Sequence, residues 1–324
     1  MKNIYPLRLK PYTKSVIWGS DLLIEKYNKE TESYNIGESW ELSCREKEKS
    51  TIINGEYAGK SLNDYLSEQG YGVIGKDYNS DRFPLLIKLL SSSTPLSVQV
   101  HPDDEYSLKH EGELGKTEMW YIIECENDSE LVIGLNEYNK EALLSAAKSG
   151  NLEKYLRKTT IAPGDSFYIP SGLVHAIGTV ILLYEVQQNS DVTYRVYDYD
   201  RKDKDGNKRE LHTEKAVNVI KEYTDCEINT LAHSKNISCK VCDNAETLIS
   251  SDKFTVEKII LKSSDELVCT DESFLSLTVS KGEMKIEYNS ELYPAMIGET
   301  YFIPAGLGKF KIHGKAEILC ASIK

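Results

Sequence analysis

Gly164-Asp165-Ser166-Phe167-Tyr168-Ile169-Pro170-Ser171-Gly172-Leu173-Val174-His175 has its frame repeated in Gly298-Glu299-Thr300-Tyr301-Phe302-Ile303-Pro304-Ala305-Gly306-Leu307-Gly308-Lys309. In both copies a glycine permits a turn, an apolar strand follows, a proline stops it, and a second glycine permits the next turn. The first copy ends on His175, the second on Lys309. The turn skeleton therefore does not itself demand a histidine. The repeat predicts two related units built from short strands, of which the first alone holds a metal.

Working outward, Pro95-Leu96-Ser97-Val98-Gln99-Val100-His101-Pro102 alternates as an extended strand does. Ser97, Gln99 and His101 share one face, while Val98 and Val100 meet an apolar layer. A second strand-like run, from Glu118 to Glu124, opens on a carboxylate that packing does not require. Two imidazoles, a carboxylate and an amide oxygen make a borderline-hard donor set suited to zinc or a similar divalent ion. The candidate ligands are thus Gln99, His101, Glu118 and His175, with a backbone-bonded amide as the competing reading of Gln99. His110 lies between them in sequence, but Lys109 and Glu111 beside it place it on a solvated helix face.

The spacing Gly-x5-Pro-x-Gly-x2-His resembles the second metal-binding motif of the cupin superfamily. With Pro95 to Pro102, Gly115-Lys116-Thr117-Glu118-Met119-Trp120-Tyr121, Pro170 to Ala176 and Ser190-Asp191-Val192-Thr193-Tyr194-Arg195, the chain resembles type I mannose-6-phosphate isomerases in their short bacterial form. That resemblance implies a mainly β fold of two cupin-type β-barrels (jelly rolls), with a few short helices packed on the first. It implies one Zn2+ per chain and an aldose-ketose isomerase, an intramolecular oxidoreductase. Mannose 6-phosphate and fructose 6-phosphate would interconvert through a cis-enediol. Two departures stand out. A chain of 324 residues has little room for the helical insertion of longer members, and Ile177 stands where several carry a tyrosine. Any substrate contact of that tyrosine is not carried over.

The remaining site candidates rest on chemistry and, for Glu185 and Asp191, on that resemblance. A guanidinium does not give up its proton, so Arg195 suits neutralisation of a developing oxyanion, with structural pairing as the plainer alternative. Lys116 suits phosphate binding or, with a depressed pKa, proton transfer. Ser97 is a candidate phosphate donor and equally a candidate structural hydroxyl. Glu185 and Asp191 resemble acidic family positions near the substrate, as base or as orienting partner. A non-catalytic sugar-binding or regulatory cupin would not need Lys116 and Arg195. A cupin oxygenase would use iron and a more compact His/Glu motif.

The balance of 39 Lys and Arg against 51 Asp and Glu leaves a net charge of -12, which argues against nucleic acid or an anionic membrane as partner. It also requires cations to be concentrated wherever a small-molecule sugar phosphate binds. Seven scattered cysteines fit reduced thiols, and Cys239-Lys240-Val241-Cys242 reads as strand. With no apolar leader and no long apolar run, a cytoplasmic protein is expected, as a monomer or weak homo-oligomer. Length suggests two domains, 1–235 carrying the metal and 236–324 a degenerate barrel without it.

Local signals complete the reading. Ser61 to Gly70 is a capped helix, Pro84 to Leu90 a buried strand, and Asp103 to Gly115 a short helix and loop. Asn139 to Arg157 predicts two helices divided at Gly150, with Leu143, Leu144, Leu152 and Leu156 buried. Thr213 to Tyr223 predicts a helix capped by Thr213, and Asp225 to Lys235 a polar connection. Asp203 to Asn207 reads as a turn, lacking the acidic spacing of a calcium loop. Trp18 and Trp40 read as core residues, and Glu41 as a lesser substrate-site candidate.

Overall fold

The computed structural model describes residues 4–31, 34–202, 205–231, 241–242 and 244–324. Its organising strand is Glu118–Cys125, in which Glu118, Trp120 and Ile122 face one way and Met119, Tyr121 and Ile123 the other, all buried. A strand buried on both faces lies between two layers. It belongs to an antiparallel six-stranded sheet ordered Ser166–Ile169, Glu118–Cys125, Ile181–Gln188, Leu85–Ser92, Tyr12–Ser20, Ile36–Leu42. One face of this sheet packs Trp120, Ile122 and Leu90 with Leu131, Ile133 and Ile177 of a five-stranded sheet. That second sheet runs Tyr194–Tyr197, Val98–Val100, His175–Ile177, Glu130–Leu135, Leu156–Thr160. The opposite face packs Ile87, Leu89, Tyr121 and Tyr184 with Phe254, Phe274, Phe302 and Leu319 of the carboxy-terminal half. The six-stranded sheet is thus a wall common to both halves.

The carboxy-terminal half is one large sheet whose path runs Ala245–Ser250, Thr255–Leu261, Gly308–Ser322, Leu275–Tyr288, Thr300–Ile303. It continues into two strands from the other end of the chain, Leu7–Lys10 and Thr51–Ile52, with Leu7 opposite Phe302 and Leu9 opposite Ile52. A boundary at 235/236 falls in residues 232–240, outside the described ones, as do Cys239 and Lys240, whereas Val241 and Cys242 form a bend before the strand Ala245–Ser250 and not the strand expected of them. Asp203 and Lys204 of the charged loop also lie outside the described residues. The fold is mainly β, as expected. Among the described residues no helix is long and apolar enough to cross a membrane.

Short helices pack in two places, Leu62–Gln69 in the core shared with Phe254, Phe274 and Phe302, and Lys140–Ser149 against Val98, Val100 and Val132 of the five-stranded sheet. Leu62–Gln69 opens on a capping box: Ser61 Oγ accepts from the Asp64 N–H, and the Asp64 carboxylate accepts from the Ser61 N–H, each at 3.2 Å. Leu62, Tyr65 and Leu66 are buried, and Gly70 ends the helix at φ 79°. Removing this cap with Ser61→Ala is expected to cost about 1 kcal/mol, read as a lower urea midpoint at unchanged slope.

Four further local expectations need correction. After Lys140–Ser149, the second helix is only a 3-10 turn, Leu152–Tyr155. Leu156–Thr160 is a strand, because Leu131 and Val132 offer an edge to which Thr159 and Lys158 pair. Leu144 is half-buried, the buried face of that helix being Leu143, Ala146 and Ala147. The helix Thr213–Val219 has His212 at its cap position and stops early, since the Lys221 N–H is drawn to the Gly172 carbonyl. The polar connection contains the helix Asp225–Leu231, which buries Ile228. Its cap is a Thr-x-x-Glu pair in which the Thr224 N–H donates to Glu227 Oε2 at 2.8 Å.

Candidate metal centre and active site

Strand pairing lays the first site residues in a row. His175 stands opposite Gln99, and Gln99 opposite Arg195, so three side chains leave one face of the five-stranded sheet. His101 follows two residues after Gln99, and Glu118 approaches from the facing sheet. His101, Glu118 and His175 are all buried and offer ligand atoms within 4.8 Å of one another. His101 Nε2 lies 3.2 Å from His175 Nε2 and 3.5 Å from Glu118 Oε2, and His175 Nε2 lies 3.4 Å from Glu118 Oε1.

The outer ring nitrogens settle what these atoms present. His101 Nδ1 is 2.9 Å from the Val192 carbonyl, and His175 Nδ1 is 2.9 Å from the Leu173 carbonyl. A carbonyl only accepts, so each Nδ1 carries the hydrogen and each Nε2 turns a lone pair to the common centre. Both Glu118 oxygens are buried, and the group nearest Oε2 outside the two imidazoles is Lys116 Nζ, at 3.2 Å. Two lone pairs and a carboxylate converge out of water on one point beside Lys116 Nζ, and this donor set fits a divalent cation. Burial pushes both imidazoles down, His175 to about 4, and lifts the Glu118 carboxyl to about 7 against the pull of Lys116. Neutral imidazole is the form that ligates.

Lys116 is buried with Nζ 3.2 Å from both Glu118 Oε2 and His101 Nε2. Arg195 is half-buried; its guanidinium donates to the Glu210 carbonyl at 2.8 Å, and its Nε is buried without an acceptor among the described residues. Ser97 is buried at the start of the same strand region as Gln99. Asp191 is exposed on the loop before Arg195, its N–H 3.4 Å from Glu113 Oε2, and is not brought into the cluster. His110 is exposed and stacked on Tyr106. Glu41 lies away from the site, ion-paired to Lys29 at 2.7 Å and bonded to Thr300 of the second half. Lys309, the counterpart of His175, is exposed and pairs with Glu266 at 2.7 Å.

A family model of the phosphomannose isomerase type I catalytic domain matches residues 7–144, and one of the mannose-6-phosphate isomerase cupin domain matches residues 244–323. A mannose-6-phosphate isomerase of Bacillus subtilis is 41% identical over 319 residues, 98% of this chain and 99% of that protein. One of Streptococcus mutans is 36% identical over 320 residues, 98% of each. The crystal structure of the mannose 6-phosphate isomerase from Bacillus subtilis superposes with a TM-score of 0.87 at 37% identity, covering 98% of this chain and 99% of that one. The chain belongs to the type I phosphomannose isomerase family.

The cupin reading of the repeated turn frame stands with it, since the second copy lies inside the matched cupin domain. The catalytic-domain match takes in Gln99, His101, Lys116 and Glu118, whereas His175, Glu185 and Arg195 fall between the two matched regions. Only the fold brings the two groups together.

The fold also adds a residue that the sequence reading passed over. Lys88 stands opposite Glu185 on one side and Trp40 on the other. Its Nζ is 3.1 Å from Glu185 Oε1, 3.7 Å from Glu38 Oε2 and 5.1 Å from the centre of the Trp40 ring. Trp120 Nε1 donates to Glu185 Oε2 at 2.9 Å and Trp40 Nε1 to Glu38 Oε2 at 2.8 Å. Burial alone would raise the Glu185 carboxyl, but Lys88 and Lys116 outweigh it and hold it below the usual glutamate value. The signal was a lone charge inside Leu85-Leu86-Ile87-Lys88-Leu89-Leu90, an otherwise apolar run. A buried charge without a partner is too costly to be filler.

Proposed function

We propose that the chain interconverts mannose 6-phosphate and fructose 6-phosphate as a zinc-dependent aldose-ketose isomerase acting through a cis-enediol, with one Zn2+ per chain. The observation that carries this reading is the convergence of His101 Nε2, His175 Nε2 and the Glu118 carboxylate on one buried point. Zinc-nitrogen bonds of about 2.05 Å at tetrahedral angles separate two nitrogens by about 3.3 Å, close to the 3.2 Å between the two imidazoles. Gln99 would add an amide oxygen from the same row. When bound, the ion supplies Lewis-acid stabilisation of negative charge on O1 or O2 of the opened sugar.

The chain's own groups supply the rest. Lys116, 3.2 Å from two proposed ligands, lies at the reacting end of the sugar, which suits carrying the proton between C1 and C2 better than holding a distant phosphate. Arg195, with a buried Nε awaiting an acceptor, suits neutralising an oxyanion or phosphate oxygen, and Ser97 suits donating to phosphate. Glu185 is engaged by Trp120 and Lys88 on its two oxygens, which favours an orienting partner over a base. Asp191, exposed and close enough to act on Arg45 and Lys88 electrostatically, suits the rim of the site.

A coupled assay that follows fructose 6-phosphate to mannose 6-phosphate tests the proposal. Turnover is expected, lost on treatment with a chelator and restored by zinc. Zinc-replete protein that binds the sugar phosphate yet gives no turnover would leave the non-catalytic sugar-binding alternative.

A further inference from the structure

Residues Gly115 to Thr117 carry Lys116 into the site outside any regular strand, so their placement depends on what holds their amides. Asp104 Oδ1 accepts from the Gly115 N–H at 2.8 Å, the Pro102 carbonyl accepts from the Lys116 N–H at 3.1 Å, and Gln188 Oε1 accepts from the Thr117 N–H at 3.0 Å. The Gln188 N–H also donates to the Thr117 carbonyl at 3.0 Å. Asp104 and Gln188 are themselves joined, Gln188 Nε2 donating to Asp104 Oδ1 at 2.9 Å. The approach is close enough to require glycine, because a Cβ on Gly115 would sit 2.5 Å from Asp103 C and Asp104 N.

The other oxygen of Asp104 leaves the first half altogether. Lys253 Nζ, from the carboxy-terminal half, meets Asp104 Oδ2 at 2.9 Å. Lys253 is itself fixed: its N–H and that of Phe254 donate to Ser251 Oγ at 3.2 Å, and Phe254 is buried in the core between the halves. Asp252, 3.3 Å away, is the other anion beside its ammonium. We infer that Lys253 is a positioning residue for the active site, acting through Asp104 and Gln188 to fix the backbone that presents Lys116. The second half, which repeats the turn frame without its histidine, thereby takes part in the chemistry of the first.

This inference rests on Lys116 acting at the reacting carbons, and the test separates the two. Lys253 and Asp104 side chains are each about one-third exposed, at 33% and 32%, and such a pair adds little to stability. A purely structural role therefore predicts nearly nothing for Lys253→Met beyond a small fall in Tm. Positioning predicts a kcat lower by about 5- to 10-fold with KM, bound metal and Tm near wild type, since small misplacements of a reacting group are costly. Lys253→Arg should restore kcat. Asp104→Ala, which also frees the Gly115 amide, should lower kcat by about 30- to 100-fold.

Lys116→Met, in the same full-length protein, is the reference. If it is inactive while Lys253→Met and Asp104→Ala keep wild-type kcat, or change KM alone, the positioning role is overturned and the role of Lys116 stands. If Lys116→Met keeps wild-type kcat, the reading of Lys116 fails first and the inference with it. Should Asp104→Ala not fold, Lys253→Met and its arginine rescue decide the matter.

Discussion

His175→Ala is expected to lower isomerase turnover by about 1,000-fold or more, together with loss of bound metal. His175 is one of three buried donors, and its Nε2 is held toward the centre by the Leu173 carbonyl, 2.9 Å from Nδ1. Alanine removes the lone pair and leaves that carbonyl without its donor. Stabilisation of transition-state charge by a metal is worth several kcal/mol, and about 1.4 kcal/mol corresponds to each tenfold in rate. Metal content per chain and kcat, measured on the same preparation, check this. A variant with full turnover and no metal would remove the metal from the mechanism.

Lys88→Met is the substitution expected to cost most in stability. Lys88 is buried with Glu185, and breaking such a pair from one side typically costs about 3–5 kcal/mol, because the remaining charge stays buried without its partner. Urea unfolding should show that loss, and adding Glu185→Gln to Lys88→Met should recover part of it. The pH dependence has a definite sign. In the native protein Glu185 is held below its ordinary value, so its contribution is present above the unfolded carboxyl range and is lost as pH falls. Without Lys88 the carboxyl loses the largest of the pulls that oppose burial and moves up, with Lys116 and Trp120 still holding it down, so the penalty is largest near neutrality and fades as pH falls. The gap between wild type and variant should therefore narrow in acid. A constant gap would mean that Lys88 stabilises by packing alone.

The parts of the site legible in the sequence were those with local signatures. The repeated Gly-Pro-Gly frame marked two related units, and strand parity placed Gln99 and His101 on one face, where the register now sets Gln99 beside His175 and Arg195. What was hidden depends on partners far along the chain. Lys88 looks like an interruption in an apolar strand until Glu185 and Glu38 are placed against it. Leu7–Lys10 carries no mark of its destination, and pairing with Thr300–Ile303 puts it in the sheet of the other half. Helix Asp225–Leu231 did carry a local signal, the Thr224 and Glu227 cap, but its apolar face is only Ile228 and the half-buried Leu231, too short to stand out. Nothing local marks Asp104 or Lys253, and only the fold shows that they meet.

The central claim is that a divalent ion is held by His101, Glu118 and His175. X-ray absorption at the zinc edge, on purified protein after removal of loosely bound metal, tests it most directly. The account predicts about one zinc per chain, with imidazole nitrogens at about 2.0–2.1 Å, carboxylate or amide oxygens at about 2.0–2.2 Å, and no sulfur neighbour. An active enzyme whose spectrum lacks imidazole scattering, or which holds no metal at all, would contradict it.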